Sequence, residues 1–370
     1  MNRPVLRLIA DDLTGALDSA GELTGLCGPV PLRWALGGEG IGSLAIDTAS
    51  REVSRDVALA AVRAAAPSMC GADIAFKKID SLLRGHVAAE LAACMEGSGW
   101  QHVVLAPAFP AQGRITRDGR VLVQHADGTL VPVARDLAAL LAAEGLQLQR
   151  GDPAAALPPG LSVFDAAEDT DLARIAALGR AASGPVLWCG SGGLARALAG
   201  PAAAQATTAL VPPVLGLFGS DQPVTTRQLA ACGGWALAIT AGDEVSASQV
   251  GQRLRSAGVA MVSVTLPRGL DRAEAARRIA TTFAGLTHRL PPPGTLIVAG
   301  GETLRAVCAA LGARGLDAVG IVQPGVPRSV LRGGAWDDVP VVSKSGAFGG
   351  DSLWRDLLVH SVLTSRSIPA

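Results

Sequence analysis

Short apolar runs alternate with longer amphipathic stretches along the whole chain. The short runs are rich in Val, Ile, Leu and Ala, which is typical of buried strands, and the longer stretches repeat apolar residues with a helical period. This alternation predicts an α/β fold with a largely parallel sheet. The predicted strands are Val5–Ala10, Leu44–Asp47, Ile74–Lys78, Val103–Ala106, Ser162–Asp165, Val186–Cys189, Val214–Phe218, Ala236–Ile239, Ala260–Val264, Leu296–Ala299, Val319–Val322 and Val339–Ser343.

Helices are predicted between most of these strands. The clearest are Asp56–Ala66, His86–Met95, Asp169–Ala181, Val245–Ala257, Asp271–Phe283, Thr303–Leu311 and Ser352–Ser365. Residues 113–132 break the pattern, because turn residues separate β-type runs there, and this segment predicts a hairpin arm.

The chain is too long for a typical single core, since it has 370 residues. The segment Gly200–Pro213 is rich in Ala, Thr and Pro and has no charge, so it is the best candidate for a linker. We therefore predict two α/β domains, residues 1–205 and 206–370, each with a largely parallel sheet flanked by helices, and a cleft between them.

Composition narrows the class of function. Lys+Arg and Asp+Glu both number 32, which argues against a generic nucleic-acid or anionic-membrane binder. The six cysteines form no Cys-x-x-Cys pair, so neither a zinc site nor a disulfide framework is expected. The apolar run at the amino terminus is too short for a signal peptide, and the longest uncharged stretch is interrupted by prolines. We expect a cytoplasmic protein that binds neither nucleic acid nor membrane.

Two carboxylates, Asp11 and Asp12, directly follow the first predicted strand. Open α/β sheets bind ligands at the carboxyl ends of their strands, so this pair suits a polyol, a metal ion or both. Thr14 is expected to cap the helix that follows. The alternative is that both carboxylates are solvated turn residues.

Cations and hydroxyls follow other strands of the first half. They include Arg51, Lys77, Asp80, Ser81, Arg84 and Arg114. Arginine binds carboxylates and phosphates through two parallel hydrogen bonds. With the acidic pair, this set predicts a pocket for a small acid that carries hydroxyl groups, although each cation alone is also compatible with a surface charge.

Glycine-rich turns end three strands of the second half. Their candidate ligand-binding residues are Ser220, Gly300, Gly301, Glu302, Thr303, Lys344 and Gly346. Small residues let backbone amides approach an anion, and the amino terminus of a helix favours negative charge, so the three turns suit a nucleotide. The simpler explanations are tight turns that need glycine and a solvated lysine.

A fourth glycine-rich turn, Gly190–Ala195, fits a dinucleotide fingerprint. That fingerprint requires an acidic residue about 20 positions further on, and residues 200–220 contain neither Asp nor Glu. An NAD-dependent dehydrogenase of a small hydroxy acid therefore remains only as an alternative. A sugar-acid sensor without enzymatic activity is a second alternative.

Eight segments occur in an order that resembles the four-carbon acid sugar kinases, the tetronate kinase family. They are DDLTGA at 11–16, DTASR at 47–51, KKIDSLLRG at 77–85, PAFPAQGR at 107–114, GSGGLA at 190–195, GGET at 300–303, PGVP at 324–327 and KSGAFG at 344–349. The resemblance implies an amino-terminal substrate domain and a carboxyl-terminal nucleotide domain. It also implies ATP-dependent phosphorylation of a terminal hydroxyl of threonate, erythronate, 3-oxo-tetronate or a related branched oxo-sugar acid.

Roles follow from combining the resemblance with the needs of phosphoryl transfer. Asp12 is assigned to orient or deprotonate the sugar hydroxyl, with Asp11 as the second choice. The polar residues of the first half would hold the sugar acid, and those of the glycine-rich turns would line the ATP phosphates. Mg²⁺ would bridge phosphate oxygens with few dedicated protein ligands. The expected partners are thus a sugar acid and ATP, and the sequence leaves a homodimer open.

Overall fold

The computed structural model describes residues 3–34, 42–125, 127–203 and 205–365. The chain divides into two compact units, Met1–Ala204 and Gln205–Ala370. Each unit is built from a mainly parallel sheet flanked by helices, as the sequence predicts.

The first unit alternates strands and helices along most of its length. Its strands are β1 (Leu6–Ala10), β2 (Val30–Arg33), β3 (Leu44–Asp47), β4 (Ile74–Lys78), β5 (His102–Ala106), β6 (Arg114–Arg117), β7 (Arg120–Gln124), β8 (Leu130–Pro132), β9 (Gln149–Arg150), β10 (Gly160–Val163) and β11 (Val186–Gly190). Its helices are α1 (Leu13–Cys27), α2 (Arg55–Ala65), α3 (Val87–Met95), α4 (Leu137–Ala143), α5 (Asp169–Ala181) and α6 (Gly192–Ala199).

The main sheet of this unit has the strand order β2-β3-β1-β4-β11-β5-β10-β9, and all of its neighbours are parallel. Strand β1 leads through α1 to β2 on one side, whereas the adjacent β4 leads through α3 to β5 on the other. The order in which the chain adds strands therefore reverses between the parallel neighbours β1 and β4, and we call such a point a direction change. In open α/β sheets, a crevice forms beyond the carboxyl ends of the strands at such a point, and ligands bind there.

Buried apolar side chains pack on one face of this sheet against α2, α3 and α4. Helix α1 packs on α6, which also contacts α5. The predicted hairpin arm is confirmed as a separate antiparallel sheet in the order β6-β7-β8. Its turn between β6 and β7 is held by Asp165, whose carboxylate accepts hydrogen bonds from the backbone of Asp118 and Gly119.

The second unit continues the alternation. Its strands are β12 (Val214–Phe218), β13 (Ala236–Ile239), β14 (Val259–Val264), β15 (Thr295–Ala299), β16 (Gly315–Gln323), β17 (Val326–Arg332) and β18 (Pro340–Lys344). Its helices are α7 (Pro223–Ala231), α8 (Glu244–Ala257), α9 (Arg272–Thr287), α10 (Gly301–Ala310) and α11 (Leu353–Ser365).

Its sheet has the order β13-β14-β12-β15-β18-β17-β16. The first five strands are parallel, and β16, β17 and β18 are joined by antiparallel pairing. Strand β12 leads to β13 on one side and its neighbour β15 leads to β16 on the other. This unit therefore has its own direction change, between β12 and β15.

The segment predicted as a linker is largely fastened to the second unit. The Ala206 N–H donates to the carbonyl of Ile321, and Arg328 Nη1 donates to the carbonyls of Thr207 and Ala209 at 3.0 and 2.8 Å. The Leu210 N–H donates to Ser361 Oγ at 3.0 Å. We therefore define residues 205–211 as the strap, an ordered part of the second unit rather than a loose connection.

Among the residues that the structure describes, none of the helices is long and apolar enough to cross a membrane.

Candidate active site

Asp11 and Asp12 lie at the carboxyl end of β1, beside the direction change in the first sheet. Asp12 is the N-cap of α1: its backbone is extended, and its Oδ1 accepts a hydrogen bond from the Gly15 N–H at 3.1 Å. The expected cap, Thr14, lies inside the helix and donates from Oγ1 to Asp12 Oδ2 at 2.7 Å. The capping prediction was therefore wrong, because an Asp two residues earlier had the extended backbone that a cap needs.

Arg51 binds both carboxylates. Its Nε and Nη2 donate to the two oxygens of Asp11 at 2.7 and 2.8 Å, and Nη2 also donates to Asp12 Oδ1 at 2.7 Å. The Arg51 backbone N–H donates to the Asp11 carbonyl at 3.2 Å. The planar guanidinium thus holds the acidic pair in one geometry, and its two donor edges are largely occupied by the protein.

Asp80 extends this charged cluster. It receives two hydrogen bonds from the Arg84 guanidinium, at 3.0 and 2.6 Å, and a third from the Arg84 N–H at 3.3 Å, and it lies 3.6 Å from Arg51 Nη1. The Asp80 side chain is buried, whereas that of Arg84 is half exposed. Gly85 follows with φ +79°, and an added Cβ would lie 3.1 Å from Asp11 Oδ2, so this turn requires glycine beside the acidic pair.

The three carboxylates differ in how readily they ionise. Burial raises the pKa of Asp11 above its usual value, although Arg51 opposes the rise. Burial also acts on Asp12, but the charges of Arg51 and Lys78 outweigh it and lower the pKa of Asp12. For Asp80, the hydrogen bonds from Arg84 and the charge of Arg51 overcome burial and lower the pKa. The ionised form is therefore favoured at Asp12 and Asp80, whereas burial works against the charge of Asp11.

Lys77 is placed away from the pocket that the sequence suggested for it. Its ammonium is fully buried and lies 2.6 Å from Glu90 Oε2 on α3. The charge of Glu90 outweighs burial and raises the pKa of Lys77. Lys77 is thus occupied by an internal ion pair, and the structure gives it no position from which to hold a substrate carboxylate directly.

Lys78 lies beside the acidic pair, a position that sequence reasoning did not assign to it. Adjacent residues of a strand point to opposite faces, so Lys78 lies on the side of α1 while Lys77 lies on the side of α3. Its Nζ donates to the Ile79 carbonyl at 2.8 Å, and an added Cβ on Gly15 would lie within 3.0 Å of Nζ and 2.5 Å of Asp12 Oδ1. Two adjacent lysines at a strand end could have indicated this division.

Arg114 begins β6 and is half buried. Its Nη1 donates to the Gln112 carbonyl at 2.5 Å, and burial lowers its pKa. Within the described part of the chain, neither Arg114 nor Lys78 forms an ion pair, in contrast to Arg51 and Arg84. Ser81 is buried beside Asp80. Of the cations considered for this site, Arg114 and Lys78 are therefore the two without an ion-pair partner among the described residues.

The three glycine-rich turns of the second unit meet at the direction change between β12 and β15, which also adjoins β18. An added Cβ on Gly346 would lie 2.0 Å from Ser220 Oγ, and one on Gly219 would lie 2.3 Å from Thr303 Oγ1. Gly300 has φ +106° and precedes α10 without a side-chain cap. The structure thus brings Ser220, Gly300, Gly301, Thr303 and Gly346 together around the amino terminus of a helix.

Lys344 is buried beneath this cluster rather than solvated. Its ammonium donates to the carbonyls of Ser345 and Gly346 at 3.1 and 2.9 Å. Burial lowers the pKa of Lys344 to about 7. The lysine therefore shapes the turn after β18 and carries a charge that changes near neutral pH.

Glu302 differs from its predicted neighbours. Its side chain is largely exposed and lies 3.2 Å from Arg272. An exposed carboxylate does not contribute attraction for phosphate, so within this turn the backbone and Thr303 are the groups suited to an anion.

The fourth glycine-rich turn, which carried the dehydrogenase alternative, is filled by the protein itself. Added Cβ atoms on Gly190, Gly192 and Gly193 would meet the Ala106 carbonyl oxygen at 2.5 Å, Asp18 Oδ2 at 2.3 Å and the Ala108 carbonyl oxygen at 2.7 Å. Ser191 caps α6 at the Gly193 N–H. These glycines therefore serve close packing of α6 against neighbouring segments, which accounts for the glycine-rich turn without a dinucleotide.

The described residues contain no group of three or more His, Cys, Asp or Glu side chains arranged to hold a metal ion.

Two family models match this chain. A sugar-binding N-terminal domain matches residues 6–147, and a nucleotide-binding C-terminal domain matches residues 215–353. The first match contains the charged cluster at Asp11 and Asp12, and the second contains the three meeting glycine-rich turns.

Three curated relatives illustrate the similarity in sequence. A D-threonate kinase of Cupriavidus necator is 34% identical over 94% of this chain and 96% of its own. A D-threonate kinase of Bordetella bronchiseptica is 32% identical over 99% and 98% of the two chains. A D-erythronate kinase of Heliobacterium modesticaldum is 28% identical over 92% and 93%.

Solved structures share the fold. A crystal structure from Salmonella typhimurium LT2 has a TM-score of 0.73 at 22% identity and covers 95% of this chain and 98% of its own. One from Haemophilus influenzae has a TM-score of 0.69 at 21% identity, with 96% and 100% covered.

Proposed function

The chain belongs to the four-carbon acid sugar kinase family, and on that basis we propose that it transfers the γ-phosphoryl group of ATP to a hydroxyl group of a four-carbon sugar acid. Its curated relatives are D-threonate, D-erythronate and 3-oxo-tetronate kinases at 28–34% identity over nearly their full length. We assign the sugar acid to the first unit and the nucleotide to the second. The family models that match these two parts support this division.

The observation that carries the proposal is the position, exposure and ionisation of Asp12. It stands at the ligand-binding edge of the sheet, is 20% exposed while Asp11 is 4% exposed, and is kept ionised by Arg51 and Lys78. A carboxylate held by several donors is a weak base but a well-oriented acceptor. Phosphoryl transfer depends mainly on the position of the nucleophile and on charge neutralisation, so we assign Asp12 to accept the hydrogen bond of the attacking hydroxyl.

The surrounding cations divide between scaffolding and binding. Arg51 is largely occupied by Asp11 and Asp12, and Arg84 by Asp80, so these two arginines hold the acceptor groups in place. We assign the sugar-acid carboxylate to Arg114, with Lys78 as a second cation. The carboxylates and Ser81 remain to accept or share hydrogen bonds with the sugar hydroxyls.

The second unit fits the phosphates of a nucleotide through its backbone. The uncapped amino terminus of α10 and the small residues Ser220, Gly300 and Gly346 leave backbone N–H groups beside a positive helix end. A bound phosphate would stabilise the protonated form of Lys344, which lies directly below. Mg²⁺, bound through phosphate oxygens and water, would neutralise part of the phosphate charge.

We also place the protein in the cytoplasm. Its cysteines are free thiols, and Cys27, Cys94, Cys189, Cys232 and Cys308 are buried. Free buried thiols are what a reducing compartment preserves.

The proposal is tested by a coupled ADP-release assay with Mg-ATP and a panel of D- and L-threonate, D- and L-erythronate and 3-oxo-tetronates. We expect turnover with one or a few members of the panel and none with the corresponding polyols, which lack the carboxylate. Release of ADP with polyols and acids alike would contradict the assignment of a sugar-acid pocket.

A thermal-shift comparison separates the alternatives. ADP or ATP with Mg²⁺ should raise the melting temperature, and NAD should not, because a ligand stabilises only the protein that binds it. Stabilisation by NAD would favour a dehydrogenase. Stabilisation by a sugar acid without any ATP turnover would favour a sensor.

A further inference from the structure

A buried ion pair lies beneath the acidic pair, outside the groups assigned to ligands. Glu90 of α3 and Lys77 of β4 are 2.6 Å apart, and their side chains are 2% and 0% exposed. Replacing such a pair by apolar residues often leaves stability unchanged or improves it, because burial of two charges is costly. Stability alone therefore gives no reason for charged residues at these two positions.

The ion pair continues into the loop after β3. Ser50 Oγ donates to Glu90 Oε1 at 2.6 Å, and Thr48 Oγ1 lies 2.7 Å from Ser50 Oγ and 2.9 Å from the Ala10 carbonyl. An ionised carboxylate only accepts hydrogen bonds, so Ser50 gives its single proton to Glu90. The charge of Glu90 thus fixes Ser50 as its donor, and Thr48 Oγ1 gives its own proton to Ser50 Oγ or to the Ala10 carbonyl.

This loop needs external support. Ala49, between the two hydroxyl residues, has φ +52°, a left-handed conformation that is uncommon for a residue with a Cβ. Such backbone strain persists only where surrounding contacts impose it. The contacts that support the loop here include the Ser50 hydrogen bond to Glu90, the bond from the Ala49 N–H to Asp47 Oδ1 at 2.9 Å, and the bond from the Thr48 N–H to the Ala10 carbonyl.

Arg51 is the next residue of the same loop. Its backbone is tied to Asp11, and its guanidinium holds Asp11 and Asp12. A loop that moves at Ser50 therefore moves the arginine that orients the acidic pair. A displacement of about 1 Å at a reacting group can cost roughly 10²-fold in rate.

We propose that Glu90 is a positioning residue: held by Lys77, it locks the Thr48–Arg51 loop and so sets the orientation of Arg51 on Asp11 and Asp12. Its effect on rate rests on the proposed kinase function, whereas its effect on the loop does not.

The primary test compares Glu90→Gln with Glu96→Gln by hydrogen exchange. Glu96 is a matched control, because it ends the same helix and pairs with Arg63 at the surface. We expect exchange in peptides covering residues 47–52 to rise about tenfold or more in Glu90→Gln, with peptides of the second unit unchanged. Glu96→Gln should match the wild type throughout.

The second readout is kinetic. Glu90→Gln should lower kcat by roughly 10- to 100-fold with the KM for ATP nearly unchanged, since only the acceptor geometry is altered. It should also move the acid limb of the kcat profile to lower pH, because the uncompensated Lys77 charge favours ionised carboxylates. Glu90→Gln combined with Lys77→Met removes both charges and should return the limb toward its wild-type position while the loop still exchanges fast.

Ser50→Ala provides a second test in case Glu90→Gln does not fold. It keeps the Lys77–Glu90 ion pair and removes the hydrogen bond from the loop to Glu90. It should give the same local increase in exchange. Unchanged exchange at residues 47–52 in both variants overturns the proposal, whether or not the protein is an active kinase. If exchange at residues 47–52 is faster in the variants but the wild type shows no kinase activity, the result contradicts the proposed function and still supports the positioning role of Glu90.

Discussion

In each of the two units, the candidate site lies at a direction change of the sheet. The first site consists of charged side chains, whereas the second consists of small side chains and backbone groups. At the β1/β4 direction change, the first unit gathers buried formal charges, with Arg51 fixed between Asp11, Asp12 and Asp80. At the β12/β15 direction change, the second unit gathers small side chains and backbone around Ser220, Gly300 and Gly346.

On the proposed function, this difference in composition reflects what each ligand would need. A sugar hydroxyl that attacks phosphorus must be aimed, and a pre-oriented carboxylate held by arginine does so at the cost of desolvating several charges. A phosphate chain needs many donors of equal kind, and the backbone N–H groups of a helix end supply them with no side chain to order. Variants in the two sites should therefore fail in different ways.

The largest effect is expected for Asp12→Asn. The amide keeps the shape of the N-cap but removes the negative charge, so kcat should fall roughly 10²–10⁴-fold with a modest change in sugar-acid affinity. Steady-state kinetics with the preferred acid would measure both quantities. If Asp11→Asn abolishes turnover and Asp12→Asn does not, the two roles are exchanged, and if neither changes turnover, the acidic pair is structural.

Next is Arg51→Met, which should leave Asp11 and Asp12 buried without their main partner. We expect a loss of about 3–5 kcal/mol in the free energy of unfolding at neutral pH, measured by urea denaturation. Loss of the cation raises the folded-state pKa of both carboxylates, so they bind protons more tightly when folded, and the deficit should shrink as pH falls toward 4. Arg84→Met, which removes a half-exposed side chain, should cost less.

In the second unit, Gly346→Ala tests whether space rather than charge matters. Its Cβ would lie 2.0 Å from Ser220 Oγ, and overpacking of this kind costs about 1–3 kcal/mol. ADP affinity, measured by calorimetry, should fall roughly 10- to 100-fold while sugar-acid affinity is unchanged. Gly350→Ala is the matched control in the same loop, because nothing lies within 4 Å of its added Cβ. Equal losses in both variants would contradict a closely fitted cradle.

The smallest effect concerns pH. The pKa of Lys344 is about 7 because of burial, and phosphate favours its protonated form. ADP affinity should therefore fall as pH rises above 7, by less than about tenfold per pH unit. Lys344→Met should remove this slope. A wild-type affinity that is constant from pH 6 to 9 would show that Lys344 does not face the phosphates electrostatically.

Sequence patterning predicted the sheet well where a strand starts with an uninterrupted apolar run. Leu44–Asp47, Ile74–Lys78 and Val214–Phe218 have the predicted bounds. Strands β2 and β17 were missed, because VPLR and VPRSVLR carry proline and arginine within short runs. Strand β17 also reverses the chain direction, which a periodicity argument does not detect.

The sequence predicted most of the residues that assemble at the candidate site, but it did not predict which of them form ion pairs with one another. Asp11, Asp12, Arg51, Asp80 and Arg84 do assemble at one edge of the sheet. Which cation is neutralised internally depends on the face of the sheet and on a distant helix, so Lys77 was taken for a binding residue and Glu90 and Lys78 were overlooked. The catalytic and binding roles of these residues stay predictions.

The strap has a practical consequence for dissecting the protein. Residues 205–211 lie before the first strand of the second unit, yet they are held by Ile321, Arg328, Thr295 and Ser361. A fragment of the second unit that starts at Val214 would leave these four groups without their partners in the strap, among them the buried Ser361 hydroxyl, which accepts from the Leu210 N–H in the full chain. A truncation library for this protein should therefore place its cut before Gln205, where the chain can be opened without unravelling the back of the sheet.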